Sequence, residues 1–288
     1  MFVRRLSTAI SESEKAHFNN LATSWWDTTG PQRILHKMNL VRMDFINNNI
    51  KQHIKINNNV PNEQKTFIPG WNPHNVLPEP VANTIDGART ARIRQELAKM
   101  RLSCLDIGCG GGILSESLAR LPYVESVDGI DMSPEVVRVA NEHKLLDPAI
   151  AQKVHYQLKP VGELPATKQY DVVTLMELLE HVDHPADVMA AAMSHVKPGG
   201  LLFLSTINRD PISWLTTILF GEYVLRIVPV GTHTYSKYID CAEIAEFVEH
   251  TGFSVIDSKG CTYLPLKGWV FTDSPDVGNY FMALQRVK

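Results

Sequence analysis

Apolar residues recur at roughly helical spacing through residues 11–29 and again through 31–46, and the Gly30-Pro31 step separates the two runs. The chain therefore predicts two N-terminal helices over 11–46. From 47 to 86 that periodicity stops, and Asn47-Asn48-Asn49, Asn57-Asn58-Asn59 and prolines at 61, 69, 73, 78 and 80 mark an insertion. A short helix is expected at about 87–100. Beyond it, β-rich apolar runs at 102–107, 125–130, 153–157, 170–175 and 200–206 alternate with helical stretches. Short apolar strands separated by helices suit a parallel sheet buried on both faces, because each crossover helix must return along one face. Residues 208–240 interrupt the alternation, and a helix at 241–251 with strands near 253–263 and 278–286 closes it. The expected architecture is α/β: a doubly wound, mostly parallel, seven-stranded sheet over 87–288, with N-terminal helices before it and a lid insertion at about 208–240. No internal repeat is visible.

Composition narrows the class. The chain has 288 residues and is 44% apolar, enough for one large catalytic domain with additions. Its formal charge of -3, from 28 basic and 31 acidic residues, supplies no excess of cations to displace counterions from a nucleic-acid backbone, which argues against nucleic acid as a partner. Cys104, Cys109, Cys241 and Cys261 form no CxxC pair, so a reduced compartment without disulfides is expected. Apolar stretches such as Trp214 to Phe220 fall well short of the roughly 20 residues that span a bilayer. The first residues carry Arg4, Arg5, Ser7 and Thr8 with no acid before Glu12. That composition fits a mitochondrial transit remnant over 1–10, and equally a frayed terminus.

Two clusters carry chemistry. Leu105-Asp106-Ile107-Gly108-Cys109-Gly110-Gly111-Gly112 lies where a buried strand turns into a helix, and its glycines let the backbone approach a ligand closely. A dinucleotide fingerprint would need glycine at 113, where Ile113 stands. Asp131 follows Gly108 by 23 positions at the end of the next strand, placed to accept both hydroxyls of a ribose. The second cluster is Glu177, Glu180 and His181, whose i, i+3, i+4 spacing predicts a shared helical face beyond the strand ending at Thr174-Leu175. Two carboxylates and an imidazole can bind a divalent cation: Mg²⁺ by oxygen ligation, with Zn²⁺ or Mn²⁺ also permitted by the imidazole. The same residues also read as an acidic first turn complementing a helix dipole.

The residues from Leu105 to Gly112, with Asp131 and the turn Lys197-Pro198-Gly199-Gly200, resemble the Rossmann-like class I S-adenosylmethionine-dependent methyltransferases. A closer resemblance is to the ubiquinone-biosynthesis O-methyltransferases. It is carried by Trp25-Trp26-Asp27, Leu35-His36, Asn39-Leu40-Val41-Arg42, Met176 through Val182, Ser205-Thr206-Ile207-Asn208-Arg209 and Gly231-Thr232-His233. It spans most of the chain outside 47–100. The family's Asn-Pro-Leu-Arg stands here as Asn39-Leu40-Val41-Arg42, and 47–86 is longer than in compact bacterial members. The resemblance implies that Arg42 engages the carboxylate of S-adenosylmethionine, that Gly108 and Gly110 bind the cofactor with Gly108 along its methionine moiety, that Asp131 holds the ribose, and that Met176 contacts the cofactor. It further implies a metal, Mg²⁺ foremost, at Glu177, Glu180 and His181, which then serve catalysis.

The chemistry implied is attack by a phenolic oxygen on the sulfonium methyl, and a free phenol titrates near ~10. A metal chelating adjacent catechol oxygens would supply the ionisation and orientation; without one, His181 is the general base, with His184 disfavoured by its place before Pro185. Between Ser213 and Pro229, bulky apolar residues outnumber what one buried face needs. As a lid, that segment would shelter a polyprenyl tail or rest on a membrane surface with Arg226 near headgroups; a plain core helix fits the same pattern. The resemblance implies polyprenyldihydroxybenzoate and demethylubiquinol as substrates, and peripheral attachment at the matrix face of the mitochondrial inner membrane among other ubiquinone-biosynthesis proteins. A methyltransferase for a small soluble catechol or a nitrogen acceptor, a nicotinamide oxidoreductase and a non-catalytic cofactor-binding scaffold are the rival readings.

Overall fold

The computed structural model describes residues 12–30, 32–53, 73–217, 234–264 and 267–287. The expected transit remnant at 1–10, most of the Asn/Pro-rich stretch (54–72) and the middle of the lid (218–233) lie outside them. The elements in order are α1 (Glu12–Leu21), α2 (Arg33–His53), α3 (Glu79–Ala98), β1 (Leu102–Ile107), α4 (Ile113–Ala119), β2 (Val124–Asp131), α5 (Pro134–His143), β3 (Val154–Leu158), β4 (Tyr170–Met176), α6 (Pro185–Ser194), β5 (Val196–Ile207), the helical turn α7 (Pro211–Ser213), α8 (Cys241–Val248), β6 (Phe253–Leu264), β7 (Gly268–Thr272) and β8 (Asn279–Arg286). Among the described residues the strands form one sheet in the order β3-β2-β1-β4-β5-β8-β6-β7. The pairs among β1 to β5 are parallel, whereas β8, β6 and β7 add antiparallel at the far edge.

Period-2 alternation sends successive strand residues into two cores. Cys104, Val172 and Phe203 face Phe45, Ile46 and Ile50 of α2 and Leu118 of α4. Leu105, Val173 and Leu204 face Val188, Met189 and Met193 of α6 and Ile244 and Val248 of α8. The doubly wound prediction therefore holds, with eight strands among the described residues in place of the expected seven. The missed strand is β7, a short edge segment of partly exposed residues that lacks a clean in/out alternation. Its Trp269 donates to the Ile34 carbonyl at the start of α2, tying the edge to the N-terminal helices.

Two helices outrun their predicted bounds. α2 continues through the Asn47-Asn48-Asn49 triplet to His53. The buried spacing Met38, Asn39, Arg42, Phe45, Ile46, Asn49, Ile50 never breaks, and Asn49 Nδ2 donates to the Phe45 carbonyl at 3.1 Å and to the Asp257 carboxylate at 2.8 Å. α3 begins at Glu79 behind Pro78, eight residues before the expected 87. Among the described residues no helix is long and apolar enough to cross a membrane.

Candidate active site

The strand order reverses between β2 and β4 on either side of β1, so the carboxyl ends of these strands open a crevice. The glycine turn lies on its floor. The amides of Gly108 and Cys109 both donate to the Ile130 carbonyl, at 2.8 and 3.1 Å, tying the end of β1 to β2. Gly110 sits at φ 53°, and a Cβ there would come within 2.3 Å of Trp25 Cζ2; Gly112 sits at φ 93°, where a Cβ would meet the Tyr156 hydroxyl at 2.1 Å. Both positions need glycine twice over, for backbone conformation and for space. Ile113 opens α4 where a dinucleotide fingerprint would carry its last glycine.

Asp131 ends β2 and closes the turn from the side. Its Oδ2 accepts the Gly110 amide at 3.0 Å and its Oδ1 accepts the Ser133 amide at 2.9 Å. Burial pushes this carboxyl above its ordinary value, and the amides of Ser133 and Gly110 pull it back. Each carboxylate oxygen keeps acceptor capacity, the equipment needed to take two ribose hydroxyls. Beside Asp131 a pocket runs along Gly108, Ile130, Met132, Lys159, Pro160, Val161 and Leu178, an apolar slot suited to a flat ring. Met132, Lys159, Val161 and Leu178 were not anticipated; the available signal was their position, just past the ends of β2, β3 and β4. Behind the turn, Asp106 is buried and accepts Ser115 Oγ at 2.6 Å and Thr174 Oγ1 at 2.7 Å, which ties β1 to α4 and β4.

The N-terminal segment roofs the glycine turn. Trp25 is buried against it, and Trp26 Nε1 donates to the Gly111 carbonyl at 2.9 Å. The Trp26 ring stacks on His143 with centroids 3.4 Å apart, and His143 in turn meets the fully buried Glu116 at 2.8 Å. Phe18 of α1 meets His181 edge to face, with centroids 5.3 Å apart. The helices before the sheet are thus part of the site.

Arg42 reaches the crevice from α2 and is buried. Its Nη2 donates to Glu177 Oε2 and lies 3.7 Å from Met38 Sδ, while its Nε is buried with no partner. Met176, the last residue of β4, is buried in the core cluster that also holds Cys109 of the turn. The shared helical face expected for Glu177, Glu180 and His181 does not form. Glu177 leaves β4 at φ 50°, a left-handed conformation rare for a residue with a side chain, and the helical segment that follows is the three-residue 3-10 turn Leu179–His181. Glu177 is held by Ser205 and Arg42, whereas Glu180 is buried and accepts Thr206 Oγ1 at 2.8 Å. Burial pushes the Glu180 carboxyl above its ordinary value. Among the described residues no three His, Cys, Asp or Glu side chains are grouped to hold a metal ion. The two carboxylates expected to bind one are turned to other partners, Glu177 to Ser205 and Arg42 and Glu180 to Thr206, so this arrangement does not fit the implied metal. His184 is exposed at the N-cap of α6.

Comparison with known proteins places this geometry. A methyltransferase-domain family matches residues 84–258. The mitochondrial ubiquinone biosynthesis O-methyltransferase of Candida albicans is 52% identical over 286 residues, covering 98% of this chain and 86% of that protein. The Saccharomyces cerevisiae protein of the same name is 49% identical, covering 98% of this chain and 89% of that protein. A Methylobacterium nodulans ubiquinone biosynthesis O-methyltransferase is 37% identical, with 96% of each chain covered. With likeness extending over both the N-terminal roof and the sheet, the chain belongs to the ubiquinone biosynthesis O-methyltransferase family and is an S-adenosylmethionine-dependent O-methyltransferase.

Proposed function

We propose that the enzyme transfers the methyl group to a catechol-type hydroxyl of polyprenylated ubiquinone precursors, polyprenyldihydroxybenzoate and demethylubiquinol, at the matrix face of the mitochondrial inner membrane. The observation that carries this reading is the crevice where the glycine turn and Asp131 meet, with Arg42 and His181 buried at its edges. S-adenosylmethionine lies with its ribose on Asp131, its adenine in the slot of Met132, Val161 and Leu178, and its carboxylate towards Arg42, whose unpartnered Nε is a buried donor in want of an acceptor. That placement directs the sulfonium methyl away from the turn, towards the acceptor.

The acceptor hydroxyl must lose its proton as the oxygen attacks the methyl carbon in line with sulfur, and S-adenosylhomocysteine leaves without a covalent enzyme intermediate. His181 takes that proton as general base: it is buried at the crevice edge, and Phe18 packs on its ring and fixes its plane. The carboxylates of Glu177 and Glu180 point elsewhere, to Ser205, Arg42 and Thr206. The N-terminal roof excludes water from the sulfonium.

Support for a tailed substrate comes from the entry to the lid. Ile212, Trp214 and Leu215 are 52%, 44% and 39% exposed, a run of apolar side chains facing solvent just where the chain leaves α7. Such a run suits contact with a polyprenyl tail or a membrane surface. The mitochondrial names of the fungal relatives and their part in ubiquinone biosynthesis support the location and neighbouring biosynthetic proteins as partners. The test is methylation of a short-tail polyprenyl dihydroxybenzoate against the same catechol without its tail. A higher kcat/KM for the tailed compound is expected; equal values would move the assignment to a small soluble catechol.

A further inference from the structure

We propose that Glu177 is a positioning residue for the cofactor: it holds the Arg42 guanidinium in the orientation that receives the methionine carboxylate. This deepens the proposed site and rests on Arg42 as the carboxylate's partner. It also gives Glu177 a role other than the metal ligation implied by the family resemblance.

Glu177 is fixed from two sides. Its amide donates to the Ser205 carbonyl at 3.0 Å and lies 3.1 Å from Ser205 Oγ, and that hydroxyl donates to Glu177 Oε1 at 3.1 Å. Its other carboxylate oxygen accepts Arg42 Nη2. A left-handed φ of 50° is costly for glutamate, and such strain persists where the surroundings over-determine the conformation. Ser205 supplies that constraint from β5, the strand paired with β4 at Met176. Strain and hydrogen bonds together aim one carboxylate at one guanidinium across 135 residues of sequence.

Arg42 needs such a partner. A buried guanidinium without a counter-charge would be strongly destabilising, and a long side chain on a helix has many rotamers. Glu177 takes Nη2 and leaves Nε, which is buried and unsatisfied, as the donor still seeking an acceptor. A second carboxylate approaching that edge completes the guanidinium's hydrogen bonding in the fork geometry that suits it. S-adenosylmethionine brings an ammonium and a sulfonium with its carboxylate, so the negative charge of Glu177 is also compensated when the cofactor is bound. Glu180 cannot take over, because it is committed to Thr206.

The experiment is calorimetric binding of S-adenosylhomocysteine and of 5′-methylthioadenosine, which lacks the amino-acid moiety, to the full chain in chelator. The variants are Arg42→Ala, Glu177→Ala, Glu177→Gln and the double Arg42→Ala/Glu177→Ala, each checked by thermal melting. We expect Glu177→Ala to weaken S-adenosylhomocysteine about tenfold, the loss of roughly one charge-assisted hydrogen bond, with 5′-methylthioadenosine unaffected. Glu177→Gln, which keeps an acceptor for Nη2, should recover part of the loss, and Glu177→Ala should add nothing in the Arg42→Ala background. Unchanged or tighter S-adenosylhomocysteine binding in Glu177→Ala, with Arg42→Ala weakened, overturns the positioning role and leaves Arg42 as the carboxylate's partner. Equal weakening of both ligands by Glu177→Ala overturns it as well. Unchanged binding in Arg42→Ala removes the reading of Arg42 and this inference with it.

Discussion

Replacing Gly110 with alanine isolates the contact between the glycine turn and its N-terminal roof. The new methyl carbon would stand 2.3 Å from Trp25 Cζ2, whereas carbon atoms rest at about 3.5–4.0 Å, so the indole must retreat by more than about 1 Å. The backbone adds its own cost, since an L-residue at the left-handed φ of Gly110 loses about 1–2 kcal/mol. Trp25 is buried against Ala22, Ile113 and Val136, and losing the packing of a buried tryptophan altogether costs about 3–5 kcal/mol. Gly110→Ala should therefore lower stability by about 2–7 kcal/mol in the wild-type background, from partial retreat of the indole to complete loss of its packing, but by only the backbone share of about 1–2 kcal/mol in Trp25→Ala. Urea unfolding followed by circular dichroism completes the double-mutant cycle. Equal costs in the two backgrounds would refute the claim that Trp25 packs on this turn.

Three further outcomes follow from the same geometry. Asp131→Asn should weaken S-adenosylhomocysteine by at least about tenfold, because charge-assisted bonds to the ribose become neutral ones; an unchanged Kd by calorimetry would remove Asp131 from the ribose. His181→Ala should lower kcat by about 10²–10⁴ with cofactor affinity nearly unchanged; a loss of affinity with kcat preserved would exclude a base at this position. Burial is the main cause raising the Asp106 carboxyl above its ordinary value. Its protonated form therefore contributes stability that is full below the unfolded carboxylate range, about 3.9, and is lost as pH rises through the raised value. Melting curves should show Asp106→Asn gaining on the wild type from acid to neutral pH, and a gap that does not vary with pH would contradict that sign.

The strands, the glycine turn and Asp131 were legible because each has a local signature: apolar runs for buried parallel strands, glycines where the backbone turns left-handed, an acid one β-α-β unit later. The extension of α2 was hidden by its asparagines, although the spacing of Phe45, Ile46 and Ile50 already ran through them. β7 was missed because an edge strand has no buried alternation to read. The pairing of Arg42 with Glu177 could not be read at all, since it depends on the packing of α2 beside the end of β4, far away in sequence. Helical spacing misplaced Glu177 for a physical reason: the tether to Ser205 turns the chain left-handed before any helix starts. Trp25 and Trp26 resemble the family's residues in sequence, but their contact with Gly110 and Gly111 is a fact of tertiary structure.

In the proposed function, this crevice moves a methyl group from sulfur to a phenolic oxygen of a tailed catechol. The measurement that tests it most directly is transfer of labelled methyl from S-adenosylmethionine to a short-tail polyprenyl dihydroxybenzoate, with the product resolved by NMR. One labelled methyl ether on a ring hydroxyl is expected, formed by the wild type and formed about 10²–10⁴-fold more slowly by His181→Ala. Tight cofactor binding with no methylated product, or label on carbon or nitrogen, would contradict it.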